Sequence, residues 1–571
     1  MNDFSSLKLI PPEVDKHGNT SDFANQLKAP PFVAQILLDQ EIKNLEEARK
    51  FFLPEKDQCH DPDLMSGLAQ AAKILMSYRN KPLEIVIHGD YDMDGISGTA
   101  LLYSGLSRLG IAADTFLPNR FLEGYGLCES TIRSFSKKGY SLIITVDTGM
   151  TANPEIALAK SLGMQTIVLD HHQPGDAPPE ALHILNPHQN CCNYPNPFLC
   201  GVGVAYKLIS YMFKIAGLEE PYDLLQLFTL GTLADIVPLK GENRCYVKAG
   251  IRIMKDSPSV PLAALLKDTG LSETELRSQD ILFRITPLLN APGRLHSPDL
   301  ALQFLSSSDP KVAELLLTEL KQCNEDRRKV EAEITEEAMA MAIKLMEAED
   351  PKVLVLYSEN WHQGVIGIVA AKIVDRFNRP AAILTQVQPG IAVASARTVQ
   401  GFHLHKALGD CEDLLERWGG HYFAAGFSIK LENLPEFCKR IVKVADSLEF
   451  KVSSEKVLRC SHNLDFRDIN EDCLNWIRRF EPYGPDMTEP LFFADGVSVG
   501  GDCRIVGEHH LKLDLNQHGK VFPAIAFGQA HMHNTLIHHP LGLRIAFIPV
   551  WNEFRGKRNI QLLIKGIDYP L

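Results

Sequence analysis

A chain of 571 residues is longer than one hydrophobic core sustains and implies roughly three or four domains, and its 45% hydrophobic and 23% charged residues are those of a soluble globular protein. The net charge of −13 excludes the blanket positive surface of a protein that coats nucleic acid, while leaving room for local basic patches and for acids gathered at a metal site. No apolar run approaches a membrane span, the opening MNDFSSLKLIPPEVDKHGN has no basic stretch followed by an apolar one, and the twelve scattered cysteines point to reduced thiols, so a cytoplasmic location is expected.

In chain order, the first chemistry-bearing stretch is VIHGDYDMDG, which sets Asp90, Asp92 and Asp94 at every second position beside His88. Asp and Gly are ordinary loop residues, so a capping turn is one reading. The flanks favour another. LEIVI before the acids has the pattern of a buried parallel strand, and SGTALLYSGLSRLG after them that of a helix with small residues near its start. The acids therefore stand at the carboxyl end of a strand, where open α/β sheets bind ligands, and carboxylates this dense repel one another unless cations neutralise them.

The pattern then repeats. AADTFLP, SLIITVD and MQTIVLD alternate with the helical LCESTIRSFSKKG and PEIALAKSLG, which predicts an α/β fold with a doubly wound parallel sheet. Asp147 in TVDTG, and Asp170, His171 and His172 in VLDHHQP, stand at two further strand ends, while Asp235 in LGTLADIVPL follows the helical PYDLLQLFTLGTL. Strand carboxyl ends share one edge of a parallel sheet, so these acids and imidazoles can meet in one cleft. Several oxygen donors with at least one imidazole suit a pair of divalent cations, Mn²⁺ or Mg²⁺, better than a structural zinc. A zinc alternative at His188, Cys191, Cys192 and Cys200 lacks a paired CxxC spacing.

Residues 1–307 are thus expected to hold N-terminal helices and the acid-bearing domain. Residues 308–349, rich in strong helix formers and free of Gly, follow as a long connecting helix. PKVLVLYSENWHQGVIGIVAAKIVDRFNRPAAILTQ restarts an α/β pattern, giving a second domain over 350–454 that contains GGHYFAAGFSI and an amphipathic helix near 434–447. Its His421 is either a packed histidine holding a turn or a substrate contact. Short alternating runs over 455–571 predict a small β-barrel. There VWNEFRGKRN interleaves Trp551 and Phe554 with Arg555, Lys557 and Arg558, which is either a platform for single-stranded nucleic acid or a core Trp beside a solvated loop. The histidines of HMHNTLIHHP have no spacing that makes a site.

HGDYDMDG, VDTG, DHH and ADIVPL, in that order, resemble the four motifs of the DHH phosphoesterases, and GGHYFAAG resembles the signature of the DHH-associated domain. RITPLLNAPGRL, NWHQGVIGIVAAKI, SARTVQGFHL and EPYGPDMTEPLF narrow the likeness, over the whole chain, to the branch of that family that degrades single-stranded DNA from its 5′ end. The resemblance implies that the terminal barrel is an oligonucleotide-binding (OB) domain and that the activity is metal-dependent 5′→3′ exonuclease action releasing 5′ mononucleotides, in DNA repair and recombination. By matching position, Asp92, Asp94, Asp147, His171, His172 and Asp235 would form the core of the metal site, with Asp147 bridging, His88 and Asp90 in or beside it, and Asp170 orienting an imidazole. Arg120, Arg294, Ser395 and Arg397 would form a 5′-phosphate pocket, with a surface salt bridge as the bland alternative for Arg397. Tyr125, Asn290 and His421 would be further DNA contacts. Pro292 and Thr398 depart mildly from the commonest family pattern. The implied partners are single-stranded DNA, a helicase and a single-strand-binding protein, with no membrane and a monomeric state. Rival readings are a small-substrate DHH phosphodiesterase, disfavoured by the added barrel, and a catalytically dead DNA-binding scaffold, disfavoured by the intact acids and imidazoles.

Overall fold

The computed structural model describes residues 6–13, 18–54, 58–124, 126–452, 455–554 and 557–569. The chain forms two compact units, one of Arg49–Arg327 with Phe480–Thr488, the other of Met1–Ala48, Arg328–Arg479 and Glu489–Leu571. The first strand, β1 (Ser6–Ile10), belongs to the second unit. Among the described residues no helix is long and apolar enough to cross a membrane.

In the first unit β2 (Ile85–Gly89), β3 (Ala113–Phe116), β4 (Leu142–Val146), β5 (Gln165–Leu169) and β6 (His183–Leu185) form a parallel sheet in the order β3-β2-β4-β5-β6. β2 and β4 are buried along their whole length, which is why IVI and LII are unbroken apolar runs and not alternating ones. Val86, Ile143 and Val168 face a smaller core with Phe135 and Ile156, while Ile85, Ile87, Ile144 and Val146 face a larger one. The helices α1 (Met93–Arg108), α2 (Gly201–Ile215), α3 (Leu225–Ala234) and α4 (Gly241–Asp256) contribute to that larger core. The strand order reverses between β2 and β4, which opens a crevice at their carboxyl ends. The helix α5 (Pro310–Ala348) runs without interruption through the point at which the chain passes from the first unit to the second.

In the second unit β7 (Leu354–Ser358), the helix α6 (Ile366–Phe377), β8 (Ala381–Gln388), β9 (Ile391–Arg397), β10 (Leu415–Gly420), β11 (Ala424–Lys430) and the helix α7 (Leu434–Ser447) form a five-stranded mixed sheet with its helices, in the strand order β10-β11-β9-β8-β7. α7 buries Phe437, Ile441 and Val444, the apolar stripe expected of an amphipathic helix. After β12 (Glu455–Arg459) and β13 (His462–Asn463), the strands β14 (Phe492–Val506), β15 (His510–Gln517), β16 (Lys520–Ala526), β17 (Leu543–Phe554) and β18 (Lys557–Asp568) make the barrel, which pairing of β14 with β17 closes. Closure leaves no open edge between those strands. The alternation in HLKLDLNQ follows from β15 burying every second side chain.

The N-terminal residues differ from the expected grouping with the acid-bearing domain. β1 pairs in parallel with β12, the Leu9 N–H donates to the Asp568 carboxylate at 2.8 Å, and Phe32 meets Phe492 edge-on at 5.3 Å. A short apolar strand needs a sheet edge to satisfy its backbone, and β12 supplies one.

Candidate metal centre

The β2–α1 turn is built by its acids. Asp92 caps α1, its Oδ1 accepting from the N–H groups of Asp94 at 3.0 Å and Gly95 at 3.3 Å. Gly95 is required here, because a Cβ would lie 2.5 Å from the Asp90 backbone. Asp94 turns inward to the first turn of α2, where its Oδ2 accepts from Gly201 N at 2.6 Å and its Oδ1 from Val202 N at 2.8 Å. A helix N-terminus thus holds a buried carboxylate in place. Gly201 permits the approach: a Cβ there would lie 2.5 Å from Asp147 Cβ.

Asp147 follows β4 in the left-handed region, with φ of 62°. Among residues other than glycine, Asp and Asn tolerate that conformation best. His171 Nε2 lies 3.1 Å from Asp147 Oδ1, 3.6 Å from Asp235 Oδ2 and 3.8 Å from Asp94 Oδ2, so one imidazole touches acids from three separate segments. Asp170 does not join this convergence. Its carboxylate accepts from the backbone of Met150, His171 and His172 and from His172 Nδ1 at 2.7 Å, which fixes the His172 ring.

The electrostatics are those of charges crowded out of water. Burial, and then the charges of Asp94, Asp92, Asp90 and Asp235, push Asp147 well above the usual carboxylate range. Burial and neighbouring acids likewise raise Asp90, lift Asp94 to about 6 and lift Asp235 to about 8. Burial holds His171 down at about 4, whereas at His172 the Asp170 carboxylate outweighs burial and raises the imidazole to about 9. Asp90 Oδ1 and Asp235 Oδ2 are buried without a hydrogen-bond partner. Orphaned, mutually repelling oxygens fit a bound cation. Three donor sets lie within 4.8 Å of one another among the described residues: Asp147, His171 and His172; Asp94, Cys200 and Asp235; and Asp90, Asp92 and Asp147.

Residues 84–232 match the DHH family, N-terminal domain, residues 350–446 the DHHA1 domain, and residues 461–566 the RecJ OB domain. The single-stranded-DNA-specific exonuclease RecJ of Bacillus subtilis is 34% identical over 563 residues, 97% of this chain and 70% of that protein. The chain belongs to the RecJ family. RecJ of Escherichia coli is 32% identical, the match covering 98% of this chain and 99% of that one. The crystal structure of RecJ in complex with Mn²⁺ from Thermus thermophilus matches with a TM-score of 0.82 at 27% identity, over 100% of this chain and 80% of that one.

Within this family fold, the phosphate-pocket candidates fall into two pairs. In the first unit the Arg120 guanidinium lies 4.3 Å over the Tyr91 ring, the Tyr91 carbonyl stands 3.2 Å from where a Cβ on Gly293 would be, and Asn119 Nδ2 donates to His296 O at 3.1 Å. Those contacts bring the Arg120 turn beside the Asn290–Arg294 segment, where Asn290 Oδ1 is buried and unpartnered. In the second unit Arg397 Nη1 donates to Ser395 Oγ at 3.3 Å and to Ala396 O at 2.8 Å. A Cβ on Gly367, in the first turn of α6, would meet Ser395 Oγ at 2.9 Å and Arg397 Nη2 at 3.3 Å. No carboxylate pairs with Arg397 among the described residues, so the salt-bridge alternative has no acid to supply it.

Other expected residues are not drawn together. His88 is wholly buried, with its ring 5.3 Å from Phe116 and 6.2 Å from Phe135, and it enters none of the three donor sets. The cause is strand alternation: His88 shares a face with Val86, which lines the smaller core. Burial holds it down at about 4, and both ring nitrogens lack partners. His421 is exposed, its backbone N–H closing the turn onto Ala424 O. At the barrel the Arg558 guanidinium covers the Trp551 ring at 4.0 Å. Tyr125 and Arg555 lie outside the described residues, as do the side chains of Phe554 and Lys557. Cys200 stands in the centre, its Sγ 3.5 Å from Thr232 Oγ1, although its sequence context suggested only the zinc alternative. The small-residue run CGVGVA was the available signal, since such runs mark a helix start approached closely by other groups.

Proposed function

We propose that the chain is a metal-dependent exonuclease that hydrolyses phosphodiester bonds of single-stranded DNA from the 5′ end, releasing 5′ mononucleotides. One observation carries the reading: three buried carboxylates, Asp90, Asp94 and Asp147, and the half-buried Asp235 crowd one crevice with His171 and His172, while one oxygen each of Asp90 and Asp235 remains unpartnered. Asp92, Asp94, Asp147, His171, His172 and Asp235, with Asp90 beside them, would hold two Mn²⁺ or Mg²⁺ ions. When bound, such a pair lowers the pKa of water and stabilises both attacking and leaving oxygens of an in-line displacement. The chain's own residues orient the reaction. The α2 N-terminus fixes Asp94, Asp170 fixes the His172 ring, and Asp147 presents its carboxylate from a constrained backbone. In the second unit Ser395, Arg397 and the first turn of α6 offer hydroxyl, guanidinium and helix-terminus donors to a phosphate, and in the first unit Arg120 and Arg294 offer guanidinium groups of the same kind.

A terminal phosphate monoester carries more charge than an internal diester, so arginines of this kind favour the 5′ end of a phosphorylated strand. The closed barrel gives a second binding surface for long strands and speaks against a substrate of only two nucleotides. Specificity for single strands implies that a helicase supplies them and that a single-strand-binding protein covers them, in repair and recombination. One chain carries all the motifs, which supports a monomer. The test is hydrolysis of a long single strand labelled at either end, compared with a dinucleotide and with pyrophosphate, in Mn²⁺ and then in EDTA. Release beginning at the 5′ label and abolished by EDTA is expected. Metal-independent cleavage, or cleavage from the 3′ label, defeats the reading.

A further inference from the structure

Asn243, wholly buried in the first turn of α4, spans two loops. Its Nδ2 donates to Phe198 O at 2.6 Å and Pro238 O at 3.0 Å, and its Oδ1 accepts from Asn196 Nδ2 at 3.0 Å. Phe198 lies just before Gly201 and Val202, whose N–H groups hold Asp94. Pro238 lies just after Asp235, across Ile236, whose φ of 59° is uncommon for a β-branched residue. A loop bent that way keeps its shape only if something outside it holds it. One amide thus joins the segment that sets Asp94 to the loop that presents Asp235.

The anchor beneath Asn243 is firm. Glu242 and Lys207 pair at 2.8 Å with both side chains at 0% exposure. Lys207 Nζ also donates to His60 O at 2.7 Å and Tyr246 OH at 3.1 Å, while Glu242 accepts from Tyr194 OH at 2.8 Å and Asn196 Nδ2 at 3.1 Å. Buried charges persist when paired and fully hydrogen-bonded, as these are.

We propose that Asn243 is a positioning residue that sets the separation of Asp94 and Asp235, and through it the affinity of the centre for divalent cations. The inference rests on the metal reading above. It touches neither the cations nor DNA, so its effect is on geometry. Groups that orient metal ligands change metal affinity by about 10- to 100-fold when removed, and Asn243 acts on Asp94 and Asp235 through the loops that carry them.

The experiment titrates the full chain with Mn²⁺, reading free Mn²⁺ by electron paramagnetic resonance, and records the thermal midpoint of each variant in EDTA. Asn243→Ala is expected to weaken Mn²⁺ binding by about 10- to 100-fold. Tyr246→Phe removes the hydroxyl that accepts from Lys207 Nζ in the same buried network and lies within α4, outside both loops, and is expected to lower the midpoint while leaving Mn²⁺ affinity unchanged. Equal affinities in Asn243→Ala and wild type, or equal losses in both variants, overturn the proposal. Where Asn243→Ala does not fold, Asn243→Ser, whose hydroxyl can serve one of the two carbonyls, is judged by the same comparison. If wild type itself binds no Mn²⁺, the metal reading fails and not the positioning of the loops.

Discussion

The crevice at the sheet edge and the face of the barrel are built on opposite principles. In the crevice the functional groups are drawn from separate segments and fixed by other groups: Asp94 by two helix amides, His172 by Asp170, and the Asp235 loop by Asn243. On the barrel, Trp551 and Arg558 come from paired strands, the guanidinium lies against the half-buried ring, and Arg558 also pairs with Glu553 at 3.4 Å. Chemistry tolerates little displacement of its groups, whereas stacking on a base tolerates much. Substitutions in the crevice should therefore act on turnover, and substitutions on the barrel on affinity.

The largest effect tests the crevice directly. Asp147→Asn keeps a side chain that tolerates the left-handed backbone and removes one charge from the cluster. Hydrolysis should fall by about 10³-fold or more, as when a preorganised electrostatic group is lost. The thermal midpoint in EDTA should rise, because the crowded cluster of repelling acids loses one member. Wild-type turnover in saturating Mn²⁺, or a lower midpoint in EDTA, would break the contrast between a site held for chemistry and a site held for stability.

Arg397→Ala should give the next largest effect, and a selective one. The guanidinium is drawn below its ordinary pKa by burial and has no carboxylate partner among the described residues, so it keeps donors for a phosphate. Each charge-assisted contact contributes about 1.5–3 kcal/mol, or roughly 10- to 100-fold. That loss in kcat/KM is expected on a 5′-phosphorylated strand and should be small on a 5′-hydroxyl strand. An unchanged preference between the two substrates would remove Arg397 from the pocket while leaving the metal chemistry standing.

Legibility in the sequence divides along the same line. Asp92, Asp94, Asp147, His171 and His172 could be placed together because parallel strands end on one edge, so position along each strand was enough. His88 could have been separated from them by the same alternation, since it shares a face with Val86. What the sequence hid depends on groups without spacing of their own: the Gly201 and Val202 amides, the Cys200 thiol and the Asn243 carboxamide act only after distant loops meet. The N-terminal segment was hidden for a related reason. SLKLI finds its partner, β12, more than 400 residues away, and no local pattern names that edge.

The smallest expected effect is at Trp551, and it sharpens the comparison most. Arg558 covers one face of the indole, so a base can stack on the other face or replace the guanidinium, and in either case part of the stacking energy is offset. A base on an aromatic face contributes about 1–3 kcal/mol, and the competing cation–π contact about 0.5–1 kcal/mol where exposed. Trp551→Ala should therefore weaken binding of a long single strand by roughly 10-fold, with kcat near wild type. Arg558→Ala should bind long strands with a weaker dependence on salt, because one phosphate-seeking cation is gone while the ring becomes more open. A strand of a few nucleotides that fills only the crevice should not distinguish either variant from wild type. If Trp551→Ala instead lowers kcat on that short strand, the ring supports the fold of the barrel and its neighbours, and the division between a chemical site and a gripping surface fails at this residue.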